Sequence, residues 1–247
     1  MMGWIKKRLA SPAVAAGRLR FAPQWDFVRA RLSRSSDAGL RLTLSVLLFI
    51  AATWLFAGVA EDVVTGDPLI EIDQEIMRWF QGHRTAGLTR WMLQVTDAHD
   101  TVPITALGLA FAVYLAWRRV WAWVISLVLV LPVGMLINVL LKQTFQRSRP
   151  VLDEPLLALA TYSFPSGHVA AATLFYGLLA AFLASRTPKL GRRVGLYATA
   201  GFMVLLVGTT RIYLGAHYFS DVVAAAAWST AWLILCLALL APEAKSR

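Results

Sequence analysis

His217 and Asp221 stand four residues apart in the stretch TRIYLGAHYFSD (210–221). At that spacing a carboxylate can hold one imidazole nitrogen, fix the tautomer and leave the other nitrogen free as a nucleophile. A second histidine, His168, follows Pro165-Ser166-Gly167 at the entry to an apolar run. It is placed to give a proton to a leaving oxygen and then to activate water. The turn before it opens a helix, and the free backbone N–H groups of a helix N-terminus bind anions. Gly167 admits close backbone approach there, and the Ser166 hydroxyl adds a donor. Three cations, Lys142, Arg149 and Arg211, lie at the ends of apolar runs. Arginine forks suit phosphate oxygens and lysine adds a point charge. Together these residues describe transfer of a phosphoryl group to histidine and then to water, a reaction that needs mainly positioning and charge stabilisation.

The surrounding chain is strongly apolar: 58% hydrophobic, 15% charged, mean hydropathy +0.60. That balance suits helices facing lipid, not a soluble domain of 247 residues. Six apolar runs, at about 42–60, 101–117, 120–141, 169–185, 194–210 and 222–241, have the length of membrane spans. The expected fold is therefore all-α, a polytopic six-helix bundle over 41–241. Pro132, Gly134 and Asn138 in the third run can bend it. Loop 61–100 holds Ile72, Ile76, Trp79 and Phe80 at roughly helical spacing and reads as one interfacial helix.

Charge sets the orientation. Of 24 Lys and Arg, 17 lie before the first run, between runs 2 and 3, between runs 4 and 5, or after the last. Only Asp26, Asp37 and Glu243 of the 14 acidic residues share those segments. Basic segments stay cytoplasmic, so both termini are expected inside and loops 1–2, 3–4 and 5–6 outside. The three polar segments at 142–150, 164–168 and 210–221 then meet on the outer face. The net charge of +10 thus reflects topology, and no nucleic-acid partner is expected. Residues 1–40 form a basic arm, suited either to the anionic inner leaflet or to a solvated tail with no role beyond orientation, and 242–247 a cytoplasmic tail. The N-terminus does not read as a cleaved signal peptide. The single cysteine, Cys236, excludes an intrachain disulfide and a thiolate metal site; it reads as a small buried hydrophobe.

Singly each motif is ordinary, but their order and spacing are not. Lys142 with Arg149-Pro150, then Pro165-Ser166-Gly167-His168, then Arg211, His217 and Asp221 resemble the three-part signature of the type 2 phosphatidic acid phosphatase superfamily. Arg147, Leu214 and Gly215 also fill positions often so occupied in bacterial members. The resemblance implies a six-helix core, a phosphohistidine on His217, His168 as general acid, and phosphate held by Lys142, Arg149, Ser166, Gly167, His168 and Arg211. It implies no metal and no cofactor, a lipid phosphate substrate within membrane lipid, and a bacterial inner membrane with the site facing the periplasm. Undecaprenyl pyrophosphate, or a broad set including phosphatidate and phosphatidylglycerophosphate, is the expected substrate. Thr210 departs from the signature, where serine is usual.

A lipid phosphotransferase is the nearest alternative reading, and a non-enzymatic transporter or scaffold is one of another class. A transporter would place polar groups near mid-span; here they gather at one end of the runs. His83, Glu61-Asp62 and Asp153-Glu154 read as solvated loop. His99, with Asp97 and Asp100, either tunes the pocket mouth or binds a cation or, as the preferred reading, lies in a solvated loop, since no metal-ligand spacing is met.

Overall fold

The computed structural model describes residues 39–66, 69–151, 156–157 and 159–240. The basic arm, the tail and Asp153-Glu154 lie outside the described residues. Among these the structure is all helix and turn, without strands: α1 (Leu40–Thr65), α2 (Leu69–Gly82), α3 (Ala86–Asp97), α4 (Thr101–Trp117), α5 (Trp121–Val128), α6 (Gly134–Phe145), α7 (Gly167–Ser185), α8 (Leu190–Tyr213) and α9 (Phe219–Leu240). A π-helical turn, Leu129–Val133, joins α5 to α6 and contains Pro132. Proline supplies no N–H to an α-helical ladder, and the wider turn absorbs the defect. Contacts divide the chain into two compact units at Leu48/Phe49, within α1; everything that follows concerns the second.

Among the described residues, five helical segments are long and apolar enough to cross a membrane: Leu42–Thr65, Trp121–Phe145, Gly167–Ser185, Leu190–Tyr213 and Phe219–Leu240. A sixth is obtained if α3 and α4, bent by 44° at their junction, are counted as one. Large apolar side chains point outward along these helices, among them Trp54, Trp117, Leu205 and Leu239. This is the arrangement a lipid solvent permits and water penalises.

α7 occupies the centre. Ala170, Leu174 and Leu178 are buried, and α7 packs chiefly on α8 and α9. Small residues allow the close approach that helix association in lipid relies on. A Cβ on Gly208 of α8 would stand 2.7 Å from Val222 Cγ1 of α9. That contact lies one turn before Arg211, so it also fixes how the α8–α9 connection folds over the end of the bundle.

The segment read as one interfacial helix folds as two. α2 buries Asp73 and Met77 and leaves Ile72 and Trp79 exposed. The apolar stripe is displaced because Asp73, a carboxylate on that face, finds buried partners. α3 is capped by Thr85 and runs into α4, which Asp100 caps through Thr101 N (2.7 Å).

Candidate active site

Each of the three polar segments is positioned by a helix end. α6 stops at Gln146, whose left-handed backbone (φ 47°) turns Arg147–Pro150 out of the helix. The next segment is anchored by Phe164, fully buried, which stacks on Phe56 (6.2 Å between centroids) and meets Phe145 edge-on (4.8 Å). Ser166 then takes the N-cap position of α7 without a side-chain cap hydrogen bond. The last segment closes tightly: Gly215 takes a positive φ of 70°, and the Ala216 and His217 N–H groups donate to Arg211 O at 2.9 and 3.3 Å. The backbone stitches the three together, with Ser163 N donating to Arg147 O (2.9 Å) and Ser166 N to Asp221 O (3.1 Å).

His217 lies in the connection before α9, not on the helix, and is 2% exposed. Its Nδ1 is 3.3 Å from Asp221 Oδ2. A carboxylate only accepts, so Nδ1 carries the proton and Nε2 keeps its lone pair. Burial, outweighing the hydrogen bond and charge of Asp221, draws the pKa of His217 from 6.5 down to about 4, and Arg211 and Lys142 add to the fall. At neutral pH the ring is therefore uncharged, with Nε2 free to accept. Asp221 occupies the third position of α9, where it accepts from Tyr218 N (2.9 Å) as half of a capping box. The same oxygen accepts the Ser163 hydroxyl, and Oδ1 takes Arg147 Nη1 at 2.7 Å.

Lys142, Arg149, Gly167, His168, Arg211 and His217 all line one cavity of about 550 Å³, whose walls include Ile104, Gly108, Leu131, Met135 and Ala171. The cations are held by the loops: Lys142 Nζ by Tyr162 O (2.5 Å) and Ser163 O (3.2 Å), and Arg149 by Thr161 O and Ala216 O (both 2.6 Å). Burial lowers the pKa of Arg149. Arg211 is tied by Nη1 to Thr96 Oγ1 (2.6 Å). Among the described residues, Arg211 Nε and Ser166 Oγ are buried and have no hydrogen-bond partner. Two orphaned donors in a cationic setting fit an oxyanion. His168 Nε2 lies 3.7 Å from Asp100 Oδ1. Among the described residues no group of three or more His, Cys, Asp or Glu is placed to ligate a metal.

Six of the candidate site residues, Lys142, Arg149, Gly167, His168, Arg211 and His217, thus line one cavity, with Asp221 against His217 and Ser166 next to Gly167. Thr210 does not join them; its hydroxyl donates to Val207 O (2.7 Å) within α8. His99 corrects the reading of a solvated loop: it is buried in the cavity wall, donating from Nδ1 to Val95 O (2.7 Å) and accepting at Nε2 from Tyr176 OH (2.8 Å). His83 is exposed, as expected, and stacks on Trp79. Four residues that no motif marks complete the site: Thr96, Thr161, Ser163 and Asp73. Only Asp73 carried a signal, as a carboxylate on the buried stripe of an amphipathic helix.

A sequence profile of the PAP2 superfamily matches residues 121–244, half of the chain. The chain belongs to the PAP2 superfamily. It is 37% identical over 107 residues to phosphatidylglycerophosphatase B of Bacillus subtilis (strain 168). That match covers 43% of this chain and 52% of the relative, so the chain spans about half the length of the curated relative it matches. Two solved structures are similar. A transmembrane PAP2-type phosphatidylglycerolphosphate phosphatase from Bacillus subtilis has a TM-score of 0.66 at 26% identity, covering 79% of this chain and 94% of that one. LpxE of Aquifex aeolicus has a TM-score of 0.52 at 25% identity, covering 67% and 94%. With these relatives and its apolar helices, this PAP2 chain is an integral membrane protein. The PAP2 match contains all three polar segments and leaves α2 and α3 outside it.

Proposed function

We propose that this PAP2 protein hydrolyses a phosphate or pyrophosphate ester carried on a membrane lipid, through a phosphohistidine on His217 and without a metal. The observation that carries the reading is the neutral, Asp221-held His217 in the same cavity as Lys142, Arg149, Arg211 and His168. His217 Nε2 attacks phosphorus, the bond to the leaving oxygen breaks, and His168 gives that oxygen its proton. Water then attacks the phosphohistidine, His168 takes the water's proton, the P–N bond breaks and inorganic phosphate leaves. The three cations, Ser166 Oγ and the α7 N-terminus hold the phosphoryl oxygens through both steps.

The apolar walls of the cavity support a lipid substrate, the acyl or prenyl chain lying against Ile104, Leu131 and Met135. The names of the relatives point to phosphatidylglycerophosphate as one member of the class, beside undecaprenyl pyrophosphate and phosphatidate. The charge distribution supports a six-span topology in a bacterial inner membrane, with both termini cytoplasmic and the site on the outer face.

The test is phosphate release from these three lipids in detergent with EDTA, comparing wild type, His217→Ala and His168→Ala. Turnover in EDTA that is lost in His217→Ala is expected. Undiminished turnover in His217→Ala sinks the nucleophile, and activity abolished by EDTA and restored by magnesium sinks the metal-free route. A reporter phosphatase fused to the C-terminus should be inactive if that end is cytoplasmic.

A further inference from the structure

We propose that Asp73 is a positioning residue for the chemistry at His217: by neutralising Arg147 it leaves the charge of Asp221 available to the imidazole. This rests on the reading of His217 as the nucleophile. Arg147 is a fork between two carboxylates, with Nη1 on Asp221 Oδ1 at 2.7 Å and Nη2 on Asp73 Oδ2 at 2.8 Å. Both aspartates are fully buried. Asp73 is held in turn by Ser220 N (2.8 Å) and by the Ser220 hydroxyl, next in sequence to Asp221. Arg147 lies over the Tyr218 ring, 4.3 Å from its centroid, which limits its guanidinium to this orientation.

The argument is one of charge balance. Arg147 with Asp221 alone would be a neutral pair, and the carboxylate would offer little to a positive ring. Asp73 makes the cluster net negative by one. Of the groups that contact Asp221, His217 is the one that gains positive charge during the reaction. A second buried carboxylate is costly unless it is paired and hydrogen-bonded, and Asp73 is both. The other charges facing His217 are Arg149, Lys142 and Arg211, all cationic. They favour the incoming phosphate and oppose charge on the ring, so the negative side of the site rests on the two aspartates. Asp73 comes from α2, a helix outside the PAP2 match, and reaches the site by docking on α8 and α9.

The experiment compares the full-length chain in detergent with Asp73→Asn, Arg147→Gln and the double variant, on whichever lipid phosphate wild type hydrolyses in a His217-dependent manner. Asp73→Asn is expected to lower kcat about 10- to 100-fold while KM changes less than about threefold. The double variant, with both charges gone, should be more active than Asp73→Asn alone. An Asp73→Asn protein with wild-type kcat overturns the inference, as does a double variant no more active than that single. If Asp73→Asn does not fold, Arg147→Lys serves: it keeps the net charge of the cluster, so kcat within about threefold of wild type is expected, and a loss of about tenfold or more there overturns the inference. Turnover that survives His217→Ala is a different failure, of the nucleophile itself.

Discussion

Ser163 and His217 share one oxygen of Asp221: the serine hydroxyl donates to Oδ2, and His217 Nδ1 faces the same atom at 3.3 Å. The carboxylate is therefore held by the residue that immediately precedes the second polar segment, as well as facing the imidazole. Ser163→Ala should lower kcat about tenfold, the worth of one hydrogen bond to a charged group, with KM little changed. Phosphate-release kinetics on a lipid substrate check this. A rise in KM at constant kcat would assign Ser163 to substrate binding instead.

Asp221→Asn keeps the shape of the pair but not its charge. It can present an amide N–H to His217 and favour the wrong tautomer. By analogy with the carboxylate of a hydrolase triad, kcat should fall by roughly 10²- to 10⁴-fold. Trapping with a phosphorylated-histidine probe in rapid-quench samples should show the phosphohistidine in wild type and little in Asp221→Asn.

The pH dependence follows from His217. Its pKa is about 4 in the folded protein against an ordinary 6.5. The folded state therefore binds fewer protons than the unfolded chain between those values, and stability rises with pH across that window. The contribution is complete above pH 6.5 and is lost as pH falls toward 4. Thermal unfolding of wild type and His217→Gln at a series of pH values should show a steeper slope in wild type than in the variant. For the same reason the loss of kcat/KM that belongs to the nucleophile should set in near pH 4, not near 6.5.

Packing beneath the site gives a further expectation. Gly208→Ala puts a methyl 2.7 Å from Val222 Cγ1, and such overpacking costs about 1–3 kcal/mol. The variant should melt at a lower temperature in detergent and lose activity, because Arg211 and the His217 connection follow directly. Val222→Ala in the same protein should restore part of both. A Gly208→Ala protein with unchanged melting temperature would mean that α8 and α9 are free to separate.

The amino-acid sequence alone carried the helical class, the apolar runs and the residues of the three motifs. It could do so because lipid imposes run length and composition locally, and because phosphate chemistry demands particular residue types at short spacing. The run at 101–117 coincides with α4, and His217, His168 and the three cations meet in one cavity, with Asp221 against His217. Neither signal reaches across the chain. Thr96 on Arg211, Thr161 on Arg149 and Ser163 on Asp221 are common residue types whose roles arise only when distant segments meet. His99 looked solvated because its neighbours are polar; Tyr176, 77 residues away, is what makes its burial tolerable. Asp73 spoiled the amphipathic pattern of α2, and only the fold supplied Arg147 and Ser220 to explain why a carboxylate is buried there. Local pattern thus named the candidate groups, and tertiary packing decided which charges face them, because a buried charge takes its meaning from partners that sequence distance does not constrain.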